Sequence, residues 1–554
     1  MDSDDKSPAN STPTNSTSPQ PAEQTKTRFA WLDWIERWGN RLPDPVSLFI
    51  IAAVMILLAS EWAAQAGWQQ TNPVTGKVEQ VKSLLSQEGM EWVWLHLVEN
   101  FTGFPPLGVV LVAMLGIGVA ERSGLLGTML KAMVLITPAV FLTPVLVFVG
   151  VMSSFALDAG YVVLPPLAAA VFLRAGRAPL VGLAAVFAGV SAGFSANLFI
   201  TSLDPLLQSF TQLAAATLDP NYIVDIRCNY YFMIVSTILI TFVGWAVTHW
   251  VVEPRFSQAE IREMITAAEP EETSVSDAPA EPEESKPKKD RLSWTEWKGL
   301  LIAGVTIALS TAGIVFLIVS EGGSLSGTIE PRPGWEVEVW VEAIVPILFV
   351  LFLLPGIAYG IAVGTIRSDR DFAKMMAGAM QAMGTYIVLA FFAAQFISWF
   401  NESNLGTVFA LQGIAWLQQL QLPLWLLVIA MVILAAILNL VMGSASAKWA
   451  FMSTVFVPIF AGIGISPELT QAAYRVGDSV TNGIAPLNPY LVLVLVVMQK
   501  YRPKAGIGSL ISLMLPYTIA FFFAWVALLL VWMAFDWQLG PGRAPLFIEP
   551  IAGA

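Results

Sequence analysis

The sequence predicts an all-α polytopic membrane protein of about nine transmembrane helices plus two helical hairpins, laid out as an inverted-topology repeat with broken helices. Three observations point there. Of 554 residues 56% are hydrophobic and 13% charged, where a soluble domain carries about a quarter charged residues. Several apolar runs reach the ~20 residues that cross ~30 Å of hydrocarbon as a helix. Finally, two stretches far apart in the chain repeat the same order of prolines, glycines and small polar residues.

From the amino end, residues 1–28 are rich in Ser, Thr, Pro and Asn and lack an apolar run, so they read as a disordered cytoplasmic tail. A first membrane half, 29–252, holds spans at 45–67, 104–121 and 229–252, a hairpin at 126–172 and a broken span at 178–215. The acidic stretch 253–296 reads as a cytoplasmic polar linker. A second half, 297–538, holds spans at 297–319, 336–366, 376–399 and 509–534, a hairpin at 405–464 and a broken span at 467–499, and 539–554 is a short tail.

Cations set the orientation, because short loops rich in Lys and Arg stay in the cytoplasm. Lys26, Arg28, Arg37 and Arg41 precede the first span, Lys286, Lys288, Lys289 and Arg291 lie in the linker, and Lys500, Arg502 and Lys504 precede the last span. The cation-poor segments 68–103, 205–228 and 320–335, and the tail with only Arg543, belong outside. An amino end inside and a carboxyl end outside demand an odd number of crossings. The apolar segments 126–172 and 405–464 must then each begin and end on one side, which makes them hairpins.

Several function classes fall away. The net charge of −12 sits largely in solvated polar stretches and gives no purchase on nucleic acid. Cys228 is the only cysteine and His96 and His249 the only histidines, both near span ends, so a Cys- or His-based metal centre is not expected. Neither a zincin H-E-x-x-H nor a phosphate-binding GxxxxGK[ST] pattern occurs, so an enzyme is not expected.

The repeat centres on two octets. "ITSLDPLL" at 200 aligns with "IAPLNPYL" at 484, which pairs Asp204 with Asn488 and Pro205 with Pro489. Upstream, after a four-residue gap, Pro179 pairs with Pro467, Ala184 and Ala185 with Ala472 and Ala473, Gly189 with Gly477, and Ser191 with Ser479. "ERSGLLGT" at 121 resembles "NESNLGT" at 401, and the same offset carries Pro144 onto Pro423. By the cation count the two copies enter the membrane from opposite sides, and interrupted helices at matching places of inverted repeats mark the substrate site of secondary transporters.

Pro205 removes an amide donor and disfavours helix at residue 204, and Pro486 and Pro489 act likewise around Asn488. The freed backbone groups need a partner that lipid cannot supply. Arg475 and Asp478 sit three residues apart on one helical face, with Ser479 and Asn482 nearby. Charges at that depth read as functional, against the alternative that the two merely neutralise each other. In "MGSASAKWAFMSTVF" the run Gly443 to Ala447 permits a tight turn, and Trp449 offers a flat face. Arg475 gripping a carboxylate while Trp449 stacks suits a ligand with an aryl ring and carboxylates. Asp158 in "FALDAGY" of the first hairpin is a second acid for a cation or proton.

The stretches "GSASAKWAFMSTVFVPIF", "ISPELTQAAYRVGDSVTNGIAPLNPY" and "GVSAGFSANLFITSLDPL" resemble the signature regions of the AbgT family, the p-aminobenzoyl-glutamate transporters of bacteria, and the resemblance runs from about residue 30 to 538. It implies a homodimer of nine-span subunits with two hairpins each, forming a bowl open to the cytoplasm of the bacterial inner membrane. Family positions important for transport fall on Asp204, Ser446, Trp449, Pro467, Arg475, Asp478 and Pro486. It further implies import of p-aminobenzoyl-glutamate or export of sulfonamides and related compounds, with no cofactor beyond a proton or sodium gradient.

The expected mechanism is alternating access, with Arg475, Trp449, Ser446 and Asn488 at the substrate and Asp204 as proton carrier. Asp158, Asn197 and Asn482 are the other ion-coupling candidates, and Asn197 and Asn488 are the alternative oxygen ligands for a sodium ion. A passive channel would not need a site that closes on both sides. A purely structural membrane protein would have no reason to bury Asp158, Asp204, Arg475 and Asp478.

Overall fold

The computed structural model describes residues 45–71, 78–156, 158–268, 292–332, 335–488, 490–541 and 545–550. The predicted amino-terminal tail and most of the predicted linker lie outside the described residues. Among those described, eight helices are long and apolar enough to cross a membrane: Pro45–Gln65, Gln87–Arg122, Tyr230–Arg255, Trp294–Val319, Ile344–Val363, Gly384–Glu402, Leu424–Val441 and Ile507–Ala534. All but one coincide with predicted unbroken spans. The exception, Leu424–Val441, is an arm of the predicted 405–464 hairpin.

The two hairpin segments are more elaborate than a pair of antiparallel helices. In the first, α1 (Leu125–Leu135) and the helix Ala139–Met152, whose α-helical part is α2 (Leu142–Met152), meet at 113°, and α3 (Asp158–Arg174) returns. The second runs as α4 (Leu405–Leu420), α5 (Leu424–Val441) and α6 (Ala445–Gly462). Each hairpin is therefore α2 with α3, or α5 with α6, and is preceded by a further helix, which in the first copy is turned by 113°. The predicted linker also differs at its start, where residues 258–268 form a helix. Two short antiparallel ribbons, Gln69–Thr71 with Val78–Gln80 and Thr328–Arg332 with Trp335–Glu338, depart from the all-helical expectation.

The broken spans have local causes. The first consists of α7 (Pro179–Phe187), a π-helical turn over Ala188–Ala192, an irregular stretch 193–202, and α8 (Leu203–Ala215). Pro205 lies in the first turn of α8, where an amide has no intrahelical acceptor, so it starts the half-helix instead of kinking it. The second consists of α9 (Pro467–Val480), a turn through 481–488, and α10 (Tyr490–Tyr501). Pro467 is the first helical residue of α9, and Ser466 caps it by accepting from Leu469 N at 3.2 Å.

The repeat is visible in backbone detail. Gly124 and Asn404 both take the left-handed conformation, with φ of 92° and 58°. The serine before each does the same work: Ser123 donates to Ala120 O and accepts from Leu125 N, while Ser403 donates to Phe400 O and accepts from Leu405 N. Gly189 and Gly477 also match. A methyl group on either would lie 2.3 Å from Val147 O of α2 or 2.2 Å from Val432 O of α5. That packing corrects one expected pairing. The counterpart of Pro423, which caps α5, is Pro138, which caps the short helix leading into α2, and not Pro144.

Candidate functional site

Every residue of α9 from Pro467 to Val480 is buried, although the helix carries Glu468, Thr470, Gln471, Arg475, Asp478 and Ser479. A polar stripe of that kind persists in a membrane only where protein covers it and supplies partners. Arg475 and Asp478, read in the sequence as neighbours on one face, do not pair with each other. Arg475 Nη2 donates to Asp204 Oδ1 at the start of α8, and Lys448 Nζ of α6 donates to Asp478 Oδ1. Both pairs are nearly excluded from solvent.

Asp204 is held for this task. Its Oδ2 accepts from Thr201 N at 2.6 Å and Thr201 Oγ1 at 2.9 Å, and its place in the first turn of α8 suits a negative charge. Arg475 is less fully engaged. Its Nη1 faces the thioether of Met233, a weak acceptor, and its buried Nε has no partner. Asn229 Oδ1 is likewise buried and unpartnered, while its Nδ2 donates to Gln471 Oε1 at 2.6 Å. Asp204, Arg475, Met233, Cys228, Asn229 and Gln471 line one pocket, closed in this conformation to less than the size of a water molecule.

The second pair organises the tip of the second hairpin. Lys448 Nζ also donates to Asn439 Oδ1 at 2.5 Å, and Asn439 Nδ2 donates to Asp478 O, Thr481 Oγ1 and Asn482 Oδ1. Asn482 Nδ2 reaches Ser191 O in the first repeat at 3.3 Å. Sequence reasoning missed Lys448 and Asn439. The signal is present in "SASAKW", since a lysine inside an apolar hairpin needs a counter-ion.

Trp449 is fully buried and stacks on Tyr474, with ring centroids 4.5 Å apart. Its Nε1 donates to Leu207 O at 3.1 Å and Thr211 Oγ1 at 3.0 Å, both on α8. Its flat face is therefore taken by protein in this conformation. Tyr161 of the first hairpin stacks in the same way on Tyr490, at 4.1 Å. Each hairpin thus places an aromatic ring against a broken span of the second copy, and α6 packs in addition along α8 of the first.

The remaining predicted residues sit around this centre. Ser446 lies at the partly exposed tip of the second hairpin, 3.3 Å from Ser444 Oγ. Pro486 falls in the turn between α9 and α10, and Asn488 closes that turn, donating to Asn482 O and accepting from Tyr490 N. Asn488 therefore starts α10 much as Asp204 starts α8. Asn197 donates to Ser154 Oγ at 2.7 Å. Asp158 begins α3, and its side chain lies outside the described residues.

Comparison with known proteins agrees with this architecture. Residues 30–547 match the AbgT putative transporter family. The p-aminobenzoyl-glutamate transport protein of Escherichia coli (strain K12) is 34% identical over 516 residues, 92% of this chain and 96% of that protein. The YdaH transporter of Alcanivorax borkumensis superposes with a TM-score of 0.80 at 40% identity, covering 90% of this chain and all of that one. MtrF of Neisseria gonorrhoeae, described as illuminating a class of antimetabolite efflux pumps, gives 0.81 at 38% identity, covering 93% of this chain and all of that one. The chain belongs to the AbgT family of multi-pass membrane transporters, whose members are transporters and not enzymes.

Proposed function

We propose that this AbgT-family transporter carries p-aminobenzoyl-glutamate and related aryl carboxylates or sulfonamides across the bacterial inner membrane by alternating access, driven by a proton or sodium gradient. The observation that carries the reading is Arg475, a buried guanidinium with one partner on Asp204, one donor spent on a thioether and one with none. Such a group has unused capacity for an anion, and a planar fork suits a carboxylate or sulfonyl oxygen.

Neutralising Asp204 with a proton frees Arg475 to grip substrate, and departure of substrate lets the pair re-form. Ion binding and substrate binding are then linked through one salt bridge. Trp449 reaches the aryl ring when the tip carrying Ser446 withdraws from α8 and α9, which frees its Nε1 and uncovers the face now held against Tyr474. Asn488 and the turn around Pro486 supply polar contacts, Pro467 fixes the start of α9, and Asp478 anchors the hairpin through Lys448. In a sodium-driven cycle, Asn197 and Asn488 furnish oxygen ligands, with Asp158 and Asn482 the further ion-coupling candidates.

A second reading, export of sulfonamide antimetabolites with no role in p-aminobenzoyl-glutamate uptake, is favoured by the description of the Neisseria relative. The subunits act as a homodimer with the amino end in the cytoplasm and the carboxyl end outside. The test is flux of labelled p-aminobenzoyl-glutamate and a labelled sulfonamide into vesicles of purified protein, with proton and sodium gradients imposed separately. Saturable flux that follows one gradient, and is lost in Asp204→Ala while the protein remains folded and dimeric, is expected. Non-saturable equilibration indifferent to both gradients would mean a passive channel.

A further inference from the structure

Among the described residues, two of the three buried acids facing the centre, Asp204 and Asp478, have cations, and Glu468 does not. It lies two turns above Arg475 on α9, about 10 Å along the axis, and is 1% exposed. Its Oε2 accepts from the Tyr222 hydroxyl at 2.8 Å, its Oε1 is buried with no hydrogen-bond partner, and no ion pair among the described residues includes it. Tyr222 stands on the stretch between α8 and Tyr230, and that stretch also supplies Cys228 and Asn229 to the pocket of Asp204 and Arg475.

We infer that Glu468 is a second proton-carrying carboxyl of the transport cycle, which takes its proton from water when the Tyr222 stretch lifts and surrenders it when the pocket opens on the other face. The inference rests on the gradient-coupled reading above and names the group through which a proton gradient enters. Its ground is the geometry of the two oxygens. A carboxylate stripped of water and given no cation is costly, whereas the neutral acid loses little in the same place. The first turn of α9, with its free amides, keeps the ionised form within reach. A group balanced in this way changes charge when water reaches it.

Among the described residues, the surroundings hold no other group that fits. From the Tyr222 stretch, Tyr222, Cys228 and Asp225 face Glu468. On its own helix Arg475 is engaged with Asp204 of α8, and Asp478 with Lys448 of α6. Helix α5 brings no titratable residue to α9, and from the last span Tyr517 is paired with Thr248. The proton count is simple: one proton from water makes the neutral carboxyl, and one returns to water or to the Asp204 carboxylate.

Counterflow and net flux separate this role from binding. Wild-type vesicles should show both exchange of labelled for unlabelled p-aminobenzoyl-glutamate and net flux under an imposed pH gradient. Glu468→Gln should keep the exchange and lose the net flux, and Glu468→Asp should restore part of it. Glu468→Gln with wild-type net flux and pH profile overturns the inference. So does loss of exchange and net flux together in a monodisperse variant with an unchanged unfolding temperature, which would make Glu468 part of the binding site. Tyr222→Phe, which leaves the acid in place, should shift the pH profile of net flux, and it decides the matter if Glu468→Gln does not fold: an unmoved profile overturns the inference. Wild-type exchange with no response to a pH gradient would instead remove proton coupling itself.

Discussion

Asp204 and Arg475 stand 271 residues apart in the chain and form one ion pair, with side chains 5% and 4% exposed. Asp204 begins the second half of one broken span, and Arg475 lies in the first half of the other. The pair therefore ties the two repeats together close to the breaks in both spans. A motion that separates the repeats must break it, and a ligand that replaces either partner eases that motion. On the proposed mechanism, stability and transport are coupled through the same two side chains.

Removing one partner leaves the other charged and buried, a loss of about 3–5 kcal/mol. Asp204→Asn and Arg475→Gln should each lower the unfolding temperature clearly in detergent. Combining them removes both charges, so the double variant should recover much of the loss and still give no thermal shift with p-aminobenzoyl-glutamate. Additive destabilisation in the double variant would mean that the two groups do not interact.

Lys448 and Asp478 make the parallel case for the second hairpin. Asp478→Ala strands the Lys448 ammonium with Asn439 as its only partner among the described residues, again at a cost of about 3–5 kcal/mol. Lys448→Met together with Asp478→Asn should restore the unfolding temperature toward wild type, because methionine follows the lysine stem and asparagine keeps a polar head toward the Tyr474 hydroxyl. Thermal unfolding of the singles and the double checks this.

How much of this was legible in the sequence follows from the range of the forces. The unbroken spans were legible because hydropathy over about 20 residues decides them locally. The breaks were legible because Pro205 and Pro486 act on their own turns. Which acid meets which base was not, since Arg475 chooses between Asp478, three residues away, and Asp204 on another repeat only once the half-helices are packed. The burial of Trp449 was hidden for the same reason, as its partners Leu207 and Thr211 belong to the opposite copy. The pairing of Pro144 with Pro423 failed because loop lengths shift the register between "ERSGLLGT" and the helix that packs on Gly189.

Trp449 carries two separable contributions. Trp449→Phe keeps a ring against Tyr474 and removes the bonds to Leu207 O and Thr211 Oγ1, so it should cost about 1–2 kcal/mol of stability. Flux of aryl substrates should persist with weaker apparent affinity, whereas Trp449→Ala, which loses the ring, should abolish it. Equal flux in the two variants would show that no ring stacks on substrate at this position.

Gly189 and Gly477 test the inverted repeat itself. Each lies where a half-helix meets the hairpin arm of its own copy, and an added methyl would fall far inside van der Waals distance of a backbone carbonyl, at 2.3 Å from Val147 O and 2.2 Å from Val432 O. Backbone cannot swing away as a flexible side chain can, so the helices must separate, and close packing in the membrane loses its contacts. Gly189→Ala and Gly477→Ala should therefore produce the same defect, a lower unfolding temperature with loss of transport. Gly304, on the span Trp294–Val319, has no atom within 4 Å of the same added methyl. There Gly→Ala should be neutral, or stabilising by about 0.5–1 kcal/mol through helix propensity alone. Thermal unfolding of the three variants side by side decides it: tolerance of alanine at one of the two paired glycines and not at the other would show that the copies are not packed alike.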